Sequence, residues 1–241
     1  MNRIELSELI NTAFQNNGMG ELISGSKCEK LCSLLYALVE ANQITNLTAI
    51  TDENGVVLKH FIDSATICKH IPEGAGLIDV GCGAGFPSLP VAILREDVQV
   101  TSLDSTGKKI NFLNETARCL LLDNIIGVCD RAESFVVDHR EMYDVCTSRA
   151  VARMNILSEI CVPFIKVGGL FVAMKSNKGS EEMSEAENGL SKLGMSLCNE
   201  ECLSLTLNNE TIEREIYVLE KDHPTPKEYP RNYSQIKKRP L

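Results

Sequence analysis

The chain has 241 residues, with 24 Lys and Arg against 33 Asp and Glu, and its formal net charge at pH 7 is −9. This length supports one large domain with a substantial core, and a hydrophobic content of 44% excludes an intrinsically disordered chain. No apolar run approaches the roughly 18 residues that span a bilayer, and the first ten residues carry three charged side chains, which predicts a cytoplasmic protein.

Residues 1–75 read as a helical extension. Ser26 is the expected N-cap of a helix whose leucines recur at helical spacing from Leu31 to Leu38, and a second helix is expected over 57–71. The polar segment 42–54 between them predicts a loop that can face a ligand. Because no flexible linker follows, the extension is expected to pack on the rest of the chain.

From residue 76 the pattern changes to short apolar runs that alternate with helix-length amphipathic segments. Such alternation predicts an α/β fold with a mostly parallel sheet. An acidic helix is expected over 181–193, and the last two strands can pair as a hairpin around Asn208 and Asn209. The seven expected strands are 77–80, 98–103, 124–128, 143–147, 169–174, 195–207 and 211–219.

Ten cysteines are present, most of them inside apolar stretches, and the sequence predicts a reduced, buried set. Cys28 and Cys32, like Cys198 and Cys202, are four residues apart, which on a helix places them on one face. Small core residues are the favoured interpretation and no metal site is expected, because no histidine flanks either pair at a zinc-like spacing.

Charge is spread unevenly along the chain. The tail 221–241 carries six basic and two acidic residues, a net charge of +4, which leaves −13 on the rest. Such a tail can bind phosphates, with Tyr229 and Tyr233 available to stack on bases. A solvated, disordered terminus explains the composition equally well. The candidate RNA-binding residues are Lys227, Arg231, Lys237, Lys238 and Arg239.

The most informative segment is a glycine-rich turn after the first strand, with Asp79, Gly81, Gly83 and Gly85 two residues apart. In a doubly wound sheet this turn is where nucleotide-like ligands bind. A dinucleotide fingerprint requires a third glycine where Phe86 stands, and no Gly-Lys-Ser/Thr of a phosphate-binding loop follows. The spacing instead resembles motif I of the Rossmann-like, class I S-adenosylmethionine-dependent methyltransferases.

Three later strands end in candidate ligand residues at the same edge. Asp104 and Ser105 close the second strand, where a carboxylate can accept hydrogen bonds from ribose hydroxyls, although either residue can instead be a helix N-cap. The segment 130–133, which contains Ala132 and Glu133, is expected to border an adenine ring. The fourth strand delivers segment 148–150, with Arg149 at its centre.

Taken in order, these segments resemble the glucose-inhibited division protein B family, bacterial methyltransferases that modify a guanine N7 in small-subunit ribosomal RNA. The matching segments cover nearly the whole chain, and Ser88 departs from the family by replacing its usual Gly. The segments are 46–50, 60–64, 79–87, 103–105, 108–109, 112–113, 131–133, 148–150, 168–169, 175 and 227–231.

The resemblance implies a class I methyltransferase core over 76–220 between the extension and the tail. It implies S-adenosylmethionine as cofactor, with contacts at Gly81, Phe86, Ala132, Glu133 and Arg149. The implied substrate is the guanine at position 527 of 16S rRNA, and the implied partner is that RNA or the assembling small subunit.

Guanine N7 already carries an exposed lone pair, so its methylation needs positioning rather than a general base. We expect Arg149 to act at the reacting centre, on cofactor carboxylate, RNA phosphate or the guanine edge. His60 and Asp63 can face the active site or pair within the extension. A basic rim for RNA is expected from Lys108, Lys109, Arg153 and Lys175, with ordinary surface charge as the alternative.

Three alternatives stay open at this point. The first is a methyltransferase that acts on a small molecule or a protein, since its cofactor-binding residues would look the same. The second is a nucleotide-cofactor oxidoreductase, which Phe86 disfavours. The third is a non-catalytic scaffold, which the intact glycine loop disfavours. No long apolar patch or heptad run suggests an obligate dimer, so a monomer is expected.

Overall fold

The computed structural model describes residues 1–149 and 151–241; Ala150, the last residue of the predicted segment 148–150, lies outside the described residues. Within these residues no helix is both long and apolar enough to cross a bilayer. The strands are β1 (Gly76–Val80), β2 (Gln99–Asp104), β3 (Ile125–Cys129), β4 (Tyr143–Arg149), β5 (Ile165–Lys175), β6 (Met195–Leu207) and β7 (Glu210–Lys221).

The seven strands form one sheet in the order β3-β2-β1-β4-β5-β7-β6. The first five are parallel, and β7 pairs with β5 and β6 in the antiparallel sense. Asn208 turns the terminal hairpin with a positive φ of 52°. The mostly parallel α/β sheet predicted from the sequence is confirmed, with strand ends that differ by a few residues.

The helices fall on both faces of the sheet. They are α1 (Arg3–Asn16), α2 (Gly25–Thr45), α3 (Glu53–Val56), a π-helical turn (Val57–Ile62), α4 (Asp63–Ala65), α5 (Ser88–Leu94), α6 (Gly107–Cys119), α7 (Ala132–His139), α8 (Met154–Cys161), α9 (Gly179–Leu193) and α10 (Tyr233–Lys238). Short 3-10 segments cover Gly20–Leu22, Cys68–His70 and Val162–Phe164.

Alternation along the strands separates two apolar cores. Leu77 of β1 packs with α1, α2, α5 and α6, whereas its neighbour Ile78 packs with α8 and α9 on the opposite face. This is the two-residue period of a strand buried on both sides. The N-terminal extension therefore shares its core with one face of the sheet.

Three local predictions in the extension are wrong. The N-cap of α2 is Ser24 rather than Ser26. α2 continues to Thr45, so the polar loop is shorter than 42–54. The helix predicted over 57–71 is a composite of α3, the π turn and α4 that begins at Glu53 and ends at Ala65. Polar residues that sequence reasoning assigned to a loop here cap or terminate helices, as the Asp52 side chain does for Gly55 N.

The cysteine prediction is correct for six of the ten thiols. All ten are free, and Cys119, Cys129, Cys198 and Cys202 are exposed. Cys198 and Cys202 lie on β6, so their spacing does not reflect one face of a helix. Cys28 and Cys32 do share the buried face of α2.

Candidate active site

A cleft of about 1010 Å³ opens at the carboxyl ends of the parallel strands. This edge is where ligands bind in open α/β sheets. It brings together eight of the ten predicted cofactor-binding residues, whereas Asp79 and Gly85 lie outside its lining. The eight are Gly81, Gly83, Phe86, Asp104, Ser105, Ala132, Glu133 and Arg149.

The three glycines of the loop have positive φ angles of 77°, 59° and 90°, a region that favours glycine. A Cβ on Gly81 would meet a Val151 methyl at 2.4 Å, and one on Gly85 would meet Leu89 at 2.6 Å. A Cβ on Gly83 would have only the Lys109 amine as a near neighbour, at a distance of 4.0 Å. Gly83 thus borders open space in the cleft, whereas Gly85 permits packing on the core.

Asp79 lies beneath the loop and is fully buried. Its Oδ2 accepts a hydrogen bond from the Ser88 hydroxyl, and its Oδ1 has no partner among the described residues. Burial raises the pKa of the Asp79 carboxyl to about 6, and the bond from Ser88 opposes this rise. Asp79 therefore lies under the loop, bonded to Ser88, rather than in the lining of the cleft where a direct ligand contact was expected.

Asp104, the last residue of β2, ties the loop to the next strand. Its Oδ2 accepts a hydrogen bond from Gly83 N at 3.0 Å and its Oδ1 accepts one from Thr106 N at 2.8 Å. The N-cap of α6 is Thr106, so neither Asp104 nor Ser105 is the cap. Each carboxylate oxygen can accept a further bond, which leaves Asp104 able to take ligand hydroxyls from the cleft.

The start of α7 lines the same part of the cleft as the glycine loop and Asp104. Ala132 and Glu133 form its first turn, where backbone N–H groups have no partner within the helix. Asp130 and Arg131 precede them and also line the cleft. The Arg131 guanidinium is 3.9 Å from Glu133 across exposed surface, so this pair leaves the turn accessible.

The other half of the cleft is centred on the buried carboxylate of Asp63. Its Oδ2 accepts from Arg149 Nη1 at 3.0 Å and its Oδ1 accepts from Arg214 Nε at 2.8 Å. Arg149 Nη1 also donates to the Lys59 carbonyl at 2.8 Å. Two guanidinium groups therefore share one carboxylate, and Arg149 is held by the π turn and α4.

His60 is fixed by three neighbours. Its ring stacks on Phe86 at 4.3 Å, its Nδ1 lies 3.2 Å from Arg149 Nη2, and its Nε2 lies 3.1 Å from Thr48 Oγ1. Because the guanidinium can only donate, Nδ1 is the acceptor and the proton is on Nε2. Burial, followed by the charge of Arg149, lowers the pKa of His60 to about 3, so the ring is neutral. His60 and Asp63 thus line the cleft and are paired with Arg149 at the same time.

The predicted basic rim is largely used inside the protein. The Lys175 amine is buried against Glu182 at 2.8 Å, and Lys108 donates to the Thr45 carbonyl at 2.7 Å. Arg153 bridges Glu181 and Glu185 on α9 at 3.6 and 2.7 Å. Lys109 lines the cleft and forms no ion pair within residues 1–149 and 151–241.

The basic tail packs on the protein rather than extending into solvent. Arg231 donates to the fully buried carboxylate of Glu159, Arg140 donates to the carbonyls of Thr225 and Tyr229, and Ile236 of α10 is fully buried. Arg231 is thereby committed to an internal ion pair. The tail residues Lys227, Lys237, Lys238 and Arg239 are exposed.

Arg214 and Tyr233 are among the residues that line the cleft without having been placed there from the sequence. Arg214 lies on β7, where its place opposite Asp63 depends on strand register, and nothing in its local sequence marks it. Tyr233 was noted only for its ring, without a location. Thr48 was part of a matching segment, and its partner His60 could not be inferred.

Comparison with known proteins identifies the family. A family profile described as rRNA small subunit methyltransferase G matches residues 27–212. A protein of that name from Staphylococcus saprophyticus is 44% identical over 222 residues, which are 91% of this chain and 92% of the relative. Another from Halalkalibacterium halodurans is 42% identical over 226 residues, covering 92% of this chain and 94% of the relative.

Solved structures that resemble the chain support the fold. TYW2 of M. jannaschii, crystallised with AdoMet, superposes with a TM-score of 0.53 at 15% identity, covering 66% of this chain and 75% of that one. The [4+2]-cyclase SpnF superposes with a TM-score of 0.56 at 14% identity, covering 82% and 94%. At such low identity they establish the class I methyltransferase fold, as predicted.

The sheet order, the glycine loop and the cleft at the strand ends define a methyltransferase of the Rossmann-like class. The chain belongs to the rRNA small subunit methyltransferase G family, and the resemblance drawn from the sequence is confirmed.

Proposed function

We propose that this protein transfers the methyl group of S-adenosylmethionine to N7 of a guanine in 16S rRNA, and that it does so in the described cleft. The observation that carries the proposal is the adjacency of two halves in one cavity, the loop with Asp104 and the Asp63 cluster with Arg149. Neither methyl transfer to a small molecule or a protein nor hydride transfer is favoured, because the relatives of this chain are named as rRNA methyltransferases.

The residues of the first half fit S-adenosylmethionine. The open space over Gly83 admits a ligand close to the backbone, and Asp104 retains acceptor capacity for ribose hydroxyls. Ala132 and Glu133 offer the N–H groups of a helix start beside them. When bound, S-adenosylmethionine supplies an electrophilic methyl group on a sulfonium centre.

The second half is built to hold groups in place rather than to remove a proton. His60 has both ring nitrogens bonded and is neutral, Asp63 is paired with two guanidinium groups, and Glu182 accepts from Lys175. A target with an exposed lone pair, such as guanine N7, needs no base among them. Catalysis by positioning is consistent with this arrangement.

Arg149 is the residue best placed to meet the reacting groups. Its guanidinium carries five N–H groups, and three are used by Lys59, Asp63 and His60. Its carbon lies 5.7 Å from the centre of the Phe86 ring, on the wall of the cleft. The two remaining donors are available to a carboxylate of the cofactor or to the acceptor edge of guanine.

RNA is expected to approach along the cations left unpaired by the fold. Among them are Lys109, which lines the cleft, and the exposed tail residues Lys227, Lys237, Lys238 and Arg239, none of which forms an ion pair within the described part of the chain. The acidic remainder of the surface favours docking on this side only. The substrate is free 16S rRNA or the assembling small subunit, the enzyme acts as a monomer, and its place is the cytoplasm.

The test is transfer of labelled methyl from S-adenosylmethionine to small subunits and to free 16S rRNA, both lacking the modification, with the product nucleoside identified. Label in 7-methylguanosine at one site is expected. Asp104→Ala should weaken cofactor binding about tenfold, the loss of roughly one charge-assisted hydrogen bond, and the exposed Asp123→Ala should leave it unchanged. Cofactor binding without any RNA label would refute the proposed substrate.

A further inference from the structure

The cleft contains one exposed aromatic ring. Three aromatic side chains line the cleft, His60, Phe86 and Tyr233. His60 and Phe86 are 7% and 4% exposed and stack on each other. Tyr233 is 36% exposed, so within the described residues its ring alone offers a free face in the cleft.

The tail holds Tyr233 in this place through buried contacts. Asn232 caps α10 by accepting from Gln235 N at 3.0 Å, and Ile236, one turn after Tyr233, is fully buried in the core beneath α8. On the other side Arg231 donates to buried Glu159 and, at 2.9 Å, to the Arg239 carbonyl. The tyrosine is thus fixed at both ends of its helix, although its side chain faces solvent.

Its position is on the side opposite the cofactor loop. α10 contacts α8, which follows β4, and Tyr233 shares the cleft with Lys175 and Ser176 at the end of β5. The glycine loop and Asp104 follow β1 and β2, on the other part of the sheet edge. A ring here meets the acceptor rather than the adenosyl group.

We infer that Tyr233 is a substrate-positioning residue, whose ring stacks on an unpaired RNA base at the mouth of the cleft. This inference rests on the proposed function. A base that is modified by an enzyme leaves its stack, and proteins compensate by stacking unpaired bases on aromatic rings. The hydroxyl of Tyr233 forms no hydrogen bond within the part of the chain that the structure describes, so the ring face is the useful element.

The test compares three substitutions in methyl transfer to unmodified small subunits. Tyr233→Leu keeps an apolar but shorter side chain without a π face, Tyr233→Phe keeps the face, and Tyr36→Leu removes a comparably exposed tyrosine from α2, outside the cleft. We expect Tyr233→Leu to lower kcat/KM for the subunit about tenfold, as expected for one lost base stack, with unchanged affinity for S-adenosylmethionine. Tyr233→Phe and Tyr36→Leu should match wild type.

The outcomes separate this inference from the proposed function. Absence of methylation by the wild-type protein would refute the function itself. Wild-type methylation with full activity in Tyr233→Leu would leave the function intact and overturn the role of Tyr233. An equal loss in Tyr233→Phe would show that the hydroxyl is needed and would also overturn stacking, as would an equal loss in Tyr36→Leu, which would mark a general effect on stability.

Discussion

The carboxylate of Glu159, fully buried in α8, accepts hydrogen bonds from the backbone N, the Nε and the Nη2 of Arg231. This pair joins the tail to the core, so the tail is a structural part of the protein as well as a source of positive charge. A truncation of the tail would remove both properties together.

Arg231→Met should therefore destabilise the protein by on the order of 3 kcal/mol, because it leaves a buried carboxylate without its partner. Urea unfolding followed by circular dichroism measures the change. Lys237→Met, at an exposed position of the same tail, is the matched control and should alter stability by less than about 0.5 kcal/mol. Equal stability of the two variants would mean that the Glu159 pair contributes nothing.

Arg149→Ala should lower kcat about 100-fold while the protein stays folded. Asp63 keeps its bond from Arg214 in this variant, so no buried charge is left alone, whereas Phe86, His60 and the substrate lose their common neighbour. Single-turnover methyl transfer measures the rate. Arg153→Ala, which breaks only an exposed bridge to α9, should keep wild-type turnover. Normal turnover in Arg149→Ala would exclude Arg149 from the mechanism.

Asp79 should make stability depend on pH. Its folded pKa of about 6 lies above its ordinary value near 3.8, so the folded state favours the protonated carboxyl, and stability falls as the pH rises through this interval. Asp79→Asn should remove this fall, a relative gain on the order of 3 kcal/mol above pH 6. Denaturant titrations of both proteins at pH 4 and pH 8 measure it.

Ser88→Ala is the companion variant. It removes the hydroxyl that donates to Asp79, so it should destabilise the protein more at pH 8, where the carboxylate is charged, than at pH 4. A loss of equal size at both pH values would indicate a packing effect and would contradict the role assigned to the Ser88 hydroxyl.

Replacing Lys237, Lys238 and Arg239 together by Gln should weaken RNA binding at low salt. The slope of log affinity against log salt should decrease by about 2, since each lost phosphate contact on single-stranded RNA removes roughly 0.7. Filter binding at several salt concentrations measures the slope. Lys192→Gln, an exposed lysine at the end of α9, should leave it unchanged. An unaltered slope in the triple variant would move the RNA surface away from the tail.

The sheet and the loop were predictable because their signals are local. Apolar runs gave each strand, and the spacing from Asp79 to Gly85 gave the cofactor turn. The partners of Arg149 were not predictable, since the bond between Asp63 and Arg214 joins residues 151 positions apart and depends on the register of β7. Lys175 was expected at an exposed rim, but it is buried against Glu182 of the next helix; the sequence does not show that the turn between β5 and α9 brings these two side chains together.

The π turn over Val57–Ile62 limits the insertions and deletions that this segment of the chain can accept. Each residue of an α-helix advances the chain by about 100° around its axis, and a π turn contains one extra residue. Deleting one residue there would restore a regular helix and turn α3 by about 100° relative to α4, which would move the buried Val56 out of the core or His60 away from Phe86. Since Val57, Leu58, Phe61 and Ile62 are all fully buried, we expect the segment to tolerate neither an inserted nor a deleted residue.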